Sequence, residues 1–135
     1  MESVIDTSVL VDYILLDSEL HGAAKAGLEK ITRGFLPSVV LEELASVLDR
    51  LKIDKGTINE KIEEVLETYE VCCVSGADVR AAGKIIMKEP STSFKRFNDK
   101  LILSIAKERS LPLFTFDREL ARECKANSVE VLQEL

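Results

Sequence analysis

Short apolar runs alternate along this chain with longer stretches whose apolar residues recur every three or four positions. The runs suit strands, whose faces alternate, and the stretches suit helices, which repeat about every 3.6 residues. Ser3-Val4-Ile5 predicts a first strand, and Thr7 or Ser8 can cap a helix carrying Val9, Leu10, Tyr13 and Ile14. Ser18 predicts the cap of a second helix, with Leu20, Ala24, Leu28 and Ile31 on one face and Gly34 as its stop. Gly34 to Pro37 reads as a second strand, and Ser38 opens a helix striped with Leu41, Leu44, Ala45, Leu48 and Leu51.

The second half repeats the alternation. Thr57-Ile58-Asn59-Glu60 fits a capping box after the Lys55-Gly56 break, for a helix with Ile58, Ile62, Val65, Leu66 and Tyr69. Val71 to Val74 has strand length and character, and Ser75 or Asp78 starts a helix with Val79, Ala82, Ile85 and Ile86. Glu89 to Phe97 reads as a loop, and Asn98 caps a helix with Leu101, Ile102, Ile105 and Ala106. Leu113 to Phe116 is the fourth strand, a helix through Leu120, Ala121 and Cys124 follows, and Val129 to Leu132 is the fifth. Strands alternating with helices predict an α/β fold: a parallel five-stranded sheet with helices on both faces and right-handed crossovers. Nothing in the composition suggests a second domain, so residues 1–135 are expected to form one.

Composition narrows the class. Hydrophobic residues at 46% and charged residues at 31% describe a globular chain, and no apolar run approaches a membrane span or a secretory signal. The three cysteines and one histidine cannot assemble a zinc finger, so buried, reduced thiols in a cytoplasmic protein are expected. His21 is expected on the surface or half-buried. The net charge of −6 argues mildly against nucleic acid as a partner. The distribution softens that argument, because Arg80 to Lys125 holds eleven basic residues against six acidic ones.

In open parallel sheets, ligands bind beyond the carboxyl ends of the strands. Asp6 follows the first strand and Asp117 the fourth, while Glu42-Glu43 and Asp99 lie early in helices flanking the sheet. Singly, each could be a cap or a helix-dipole acid. Gathered at one edge, they would raise one another's pKa unless a cation intervened. Oxygen donors select a hard ion, Mg²⁺ or Mn²⁺, which suits metal-assisted phosphodiester hydrolysis.

The segments Val4-Ile5-Asp6-Thr7-Ser8-Val9-Leu10, Pro37 to Leu44, Phe97-Asn98-Asp99-Lys100-Leu101-Ile102-Leu103 and Phe114-Thr115-Phe116-Asp117 resemble the four acidic motifs of PIN-domain nucleases, in the same order. The short chain is most similar to the VapC-type toxins of type II toxin–antitoxin systems. The resemblance implies a PIN-like three-layer α/β/α sandwich and a Mg²⁺ or Mn²⁺ site that cuts RNA. Asp6 and Asp99 would be the principal metal ligands, Asp117 a direct or water-mediated one, and Glu43, with Glu42 as fallback, the site glutamate. Ser8 and Thr115 match hydroxyls that support the acids. A homodimer is implied too, with an antitoxin in an apolar groove near the first helices, to which Tyr13, Ile14 and Leu15 could contribute.

On this reading Lys95, Arg96, Lys100 and Arg118 are candidates to steer RNA, with plain surface solubility as their other explanation. Two alternatives stay open: a weak or inactive PIN-like module that binds RNA or protein, and an RNA-processing nuclease without an antitoxin. A different Mg²⁺-dependent phosphoryl-transfer enzyme ranks lower, since the chain has no Gly-rich phosphate loop and Asp-Thr-Ser lacks a second aspartate.

Overall fold

Residues 1–90 and 93–132 are described by a computed structural model of the chain. Five strands form one all-parallel sheet in the order β3-β2-β1-β4-β5. They are β1 (Glu2–Ile5), β2 (Arg33–Pro37), β3 (Glu70–Cys72), β4 (Leu113–Phe114) and β5 (Val131–Leu132). Seven α-helices among the described residues complete an α/β fold: α1 (Thr7–Ile14), α2 (His21–Lys30), α3 (Ser38–Arg50), α4 (Lys55–Thr68), α5 (Gly76–Lys88), α6 (Phe97–Glu108) and α7 (Arg118–Ala126). Helix α3 packs on α1 and α4, and α6 packs on α5 and α7. β1 lies at the centre, and Val4 and Ile5 are wholly buried there with Leu36, Leu103 and Leu113, as a strand covered on both faces demands.

Element types follow the apolar pattern, while several boundaries move for identifiable reasons. Helix α2 starts at His21, not after Ser18, because the Ser18 hydroxyl donates to Asp12 Oδ1 at 2.6 Å. The chain leaves that helix at Ile31, so Gly34 is no helix stop but a strand residue. A side chain at Gly34 would place its Cβ 2.5 Å from Tyr69 Cδ1 and 2.7 Å from Ile5 Cδ1, so close packing requires the glycine. The expected box at Thr57–Glu60 gives way to Asp54, which accepts the Thr57 N–H at 3.0 Å and its hydroxyl at 2.7 Å. A charged acceptor starts the helix one turn earlier. Ser75 and Asp78 cap α5 together, each side chain accepting the other's N–H.

Helix α3 buries Val40, Leu44 and Leu48, and Leu51 at its end is exposed. Within the expected loop, Phe94–Arg96 forms a 3₁₀ turn that runs directly into α6. Asn98 therefore sits inside the first turn of α6 and is not its cap; residues 91 and 92 of that loop lie outside the described residues. Cys72 and Cys124 are buried free thiols, whereas Cys73 is exposed. Burial pushes the Cys124 thiol up to about 12, which keeps it protonated and inert. His21 is partly buried, stacked on Tyr13 with its Nδ1 3.2 Å from the Asp12 carbonyl oxygen. No helix among the described residues is long and apolar enough to cross a membrane.

Candidate active site

The chain steps from β1 to β2 on one side, while β4 pairs with the other side of β1. That reversal opens a crevice beyond the carboxyl ends of β1 and β4, where such sheets hold ligands. Asp6 and Asp117 follow those two strands, and Ile5 pairs with Phe114 between them. Glu43 reaches the crevice from the second turn of α3, and Asp99 from the first turn of α6. Asp6, Glu43, Asp99 and Asp117 thus line one cleft of about 360 Å³. Of the neighbouring glutamates, Glu43 lines it and Glu42 is exposed.

Asp6 precedes α1 but makes no side-chain cap bond to it. Its Oδ2 instead accepts the hydroxyls of Ser8 at 2.8 Å and Thr115 at 2.7 Å. Both hydroxyl oxygens accept in turn from the loop after β4: Ser8 Oγ from Phe116 N–H and Thr115 Oγ1 from Asp117 N–H, each at 3.0 Å. The two strand ends are thereby tied together through one carboxylate oxygen. Asp117 serves two purposes. Its Oδ1 caps α7 by accepting from Glu119 N–H at 2.9 Å and Leu120 N–H at 3.0 Å, while the residue still borders the cleft.

The electrostatics are those of crowded acids. Burial pushes the Asp6 carboxyl upward against the pull of its hydroxyl partners, and the charge of Asp117 adds to the rise. Glu43 is raised to about 7, first by burial and then by Asp6, Asp99 and Asp117. Asp99 is raised to about 6, chiefly by burial, with Arg96 opposing the shift. Glu43 Oε1 is buried without a hydrogen-bond partner among the described residues. These are oxygen donors short of positive charge, and their chemistry fits a hard divalent ion. As they stand, no group of three or more His, Cys, Asp or Glu side chains among the described residues is arranged to hold a metal ion.

Arg96 supplies the positive charge in this arrangement. Its Nη2 pairs with Asp99 and lies 3.7 Å from Asp117 Oδ2, its Nη1 lies 2.9 Å from Glu119, and its Nε lies 3.9 Å from Glu123. The four expected RNA-steering cations therefore divide. Lys95 and Arg118 are exposed, and Arg96 is engaged with carboxylates. Lys100 is fully buried, with Nζ 2.8 Å from Glu123 and 3.1 Å from Glu89, so it cannot meet a strand of RNA at the surface. One residue beyond Asp99 on α6, its side chain turns inward and is wholly buried. Sequence reasoning missed Asp12, which also borders the cleft. Its spacing of four from Ser8 places both on one face of α1, and that signal could have found it.

The fold is shared with several solved structures. A "Sarcin-Ricin loop cleaving toxin" from Mycobacterium tuberculosis, VapC20, is 17% identical with a TM-score of 0.78 over 91% of this chain and 95% of that one. VapBC2 from Rickettsia felis, crystallised with a DNA fragment from its promoter, gives 20% identity and a TM-score of 0.74 over 100% of both chains. FitAcB from Neisseria gonorrhoeae gives 18% and 0.75 over 98% and 97%. No curated protein matches the chain. Across residues 3–125, which include all four cleft acids, the sequence matches the family model for the PIN domain, and the chain belongs to that family.

Proposed function

We propose that the chain is a Mg²⁺- or Mn²⁺-dependent endoribonuclease, acting in the cytoplasm as the toxin of a type II toxin–antitoxin pair. The observation that carries this reading is the convergence of Asp6, Glu43, Asp99 and Asp117 on one crevice, where burial first and neighbouring acids second push the Glu43 and Asp99 carboxyls upward. Asp6, Asp99 and Asp117 would hold the ion. When bound, it would lower the pKa of water and offset charge developing on a phosphoryl oxygen. Ser8 and Thr115 fix the Asp6 carboxylate, which leaves it pre-oriented. Glu43 lines the same cleft with its Oε1 unpartnered among the described residues, which suits it to accept a proton from the attacking water. Exposed Lys95 and Arg118 would draw in the RNA backbone. The family analogy gives products with a 5′-phosphate and a 3′-hydroxyl.

An antitoxin has a suitable seat. Tyr13 and Ile14 line a groove between α1 and α4 with Leu10, Val65 and Tyr69, edged by Lys61, Glu64 and Thr68, and Tyr13 is 42% exposed. Leu15 does not line it. The structural neighbours include a toxin–antitoxin complex from Klebsiella pneumoniae, which supports a partner of this kind. A homodimer belongs to the same reading and is tested by sedimentation.

The decisive experiment is cleavage of RNA by the purified chain with Mg²⁺ or Mn²⁺, set against the same reaction with excess chelator. Cleavage that survives chelation, or that survives both Asp6→Asn and Asp99→Asn, overturns the mechanism. One observation favours a second reading, a module that binds without cutting: Arg96 already neutralises Asp99. Titration with Mn²⁺ separates the two, because such a module shows no acid-dependent metal binding.

A further inference from the structure

We infer that Arg96 is a displaceable counter-cation, and that its competition with a divalent ion sets how tightly the acidic crevice takes metal. The inference rests on the metal-dependent reading above. A single guanidinium here faces four carboxylates contributed by two helices and the residue that caps the second. Nη2 sits between Asp99 and Asp117, Nη1 faces Glu119 and Nε faces Glu123. Two of those acids are proposed metal ligands, so the guanidinium and the ion would neutralise the same oxygens.

The contacts are electrostatic more than directional. Nε and Nη2 are buried without a well-formed hydrogen bond among the described residues, even though Nη2 is in contact range of Asp99. A guanidinium held by charge and not by aligned bonds is the kind of partner that a more concentrated charge can displace. Its anchorage suits release as well. Arg96 ends the 3₁₀ turn ahead of α6 and keeps 33% of its side chain exposed, so the arm can swing to solvent without unpacking the core. Lys100, beside Glu123 and fully buried, has no such freedom. Arg96 is therefore a positioning residue for the acids while the metal is absent and an obstacle to the metal as it arrives.

The test uses the full chain stripped of metal and titrated calorimetrically with MnCl₂. Arg96→Gln is expected to bind Mn²⁺ at least about tenfold more tightly than the parent chain, since a unit charge close to the ligands no longer opposes the ion. Arg96→Lys keeps the charge but loses the fork, and should fall between the two; it also serves if the glutamine variant does not fold. Arg80→Gln makes the same change in net charge on α5, at a residue outside the ion pairs of Arg96, and should match the parent. Thermal melting gives an independent readout. Without metal the Arg96→Gln chain should melt lower than the parent, and Mn²⁺ should raise its melting point by the larger amount. Equal Mn²⁺ affinities across the parent and both Arg96 variants, or weaker binding in Arg96→Gln, overturn this inference and leave the metal-dependent reading standing. Absence of Mn²⁺ binding in every form removes that reading and the inference with it.

Discussion

Thr115 donates its hydroxyl hydrogen to Asp6 Oδ2 at 2.7 Å, although 109 positions of sequence separate the two residues. The bond joins the carboxyl ends of the two strands that border the crevice, and Thr115 is fully buried. Its oxygen also accepts the Asp117 N–H, so one threonine places two of the four acids. Thr115→Val is nearly isosteric but loses both bonds. It should cost about 1–3 kcal/mol of stability in urea unfolding and weaken Mn²⁺ binding besides. Unchanged metal affinity in a folded Thr115→Val chain would show that the tie does not position the acids.

Replacing an acid with its amide tests the chemistry more directly. Asp6→Asn and Asp99→Asn should each lower Mg²⁺-dependent RNA cleavage by at least about a hundredfold, with circular dichroism unchanged. Glu42→Gln should leave cleavage near the parent rate, because that side chain is exposed and Glu43 is the one in the cleft.

The raised carboxyls make metal-free stability depend on pH, in a definite direction. Glu43 at about 7 and Asp99 at about 6 hold their protons more tightly folded than unfolded. Their contribution is complete below the ordinary carboxylate range and is lost as pH rises through those values. The metal-free chain should therefore melt at a lower temperature at about pH 8 than at about pH 5.5, and Glu43→Gln should flatten that fall. Excess Mn²⁺ should reverse the trend by favouring the ionised carboxylates.

Lys100 carries a structural prediction in place of a steering one. Lys100→Met removes the cation between Glu89 and Glu123 and leaves Glu123 without its 2.8 Å partner. The expected loss is about 3–5 kcal/mol in denaturant unfolding, as for other broken buried pairs. Lys95→Gln and Arg118→Gln act at the surface. They should leave stability within about 0.5 kcal/mol and reduce the salt dependence of RNA binding.

The sequence carried the architecture further than it carried the charges. Five strands and their alternation with helices were legible because buried strands such as Val4-Ile5 and Leu113-Phe114 are short apolar runs between periodic stretches. The four acids were legible as residues following strands or opening helices, since topology alone sends those positions toward one edge. Caps were misjudged wherever two polar groups competed, as Asp54 did with Thr57 and Asp12 did for Ser18. Lys100 and Arg96 were misjudged because orientation about a helix depends on packing that charge counts do not contain. A lysine between Asp99 and Leu101 reads as solvated until Glu89 and Glu123 are found against it.

The two-residue length of β4 has a bearing on all of this. With so brief a ladder on either side, backbone pairing alone is a thin seam for the loop that bears Thr115 and Asp117. Side-chain hydroxyls finish the stitching, so fraying there and loss of the acids' alignment amount to one event. Amide hydrogens of Phe116 and Asp117, which both point at those hydroxyls, are natural reporters of it. Their exchange with deuterium should slow as the acids become neutralised, making a backbone signal track the state of the acidic crevice.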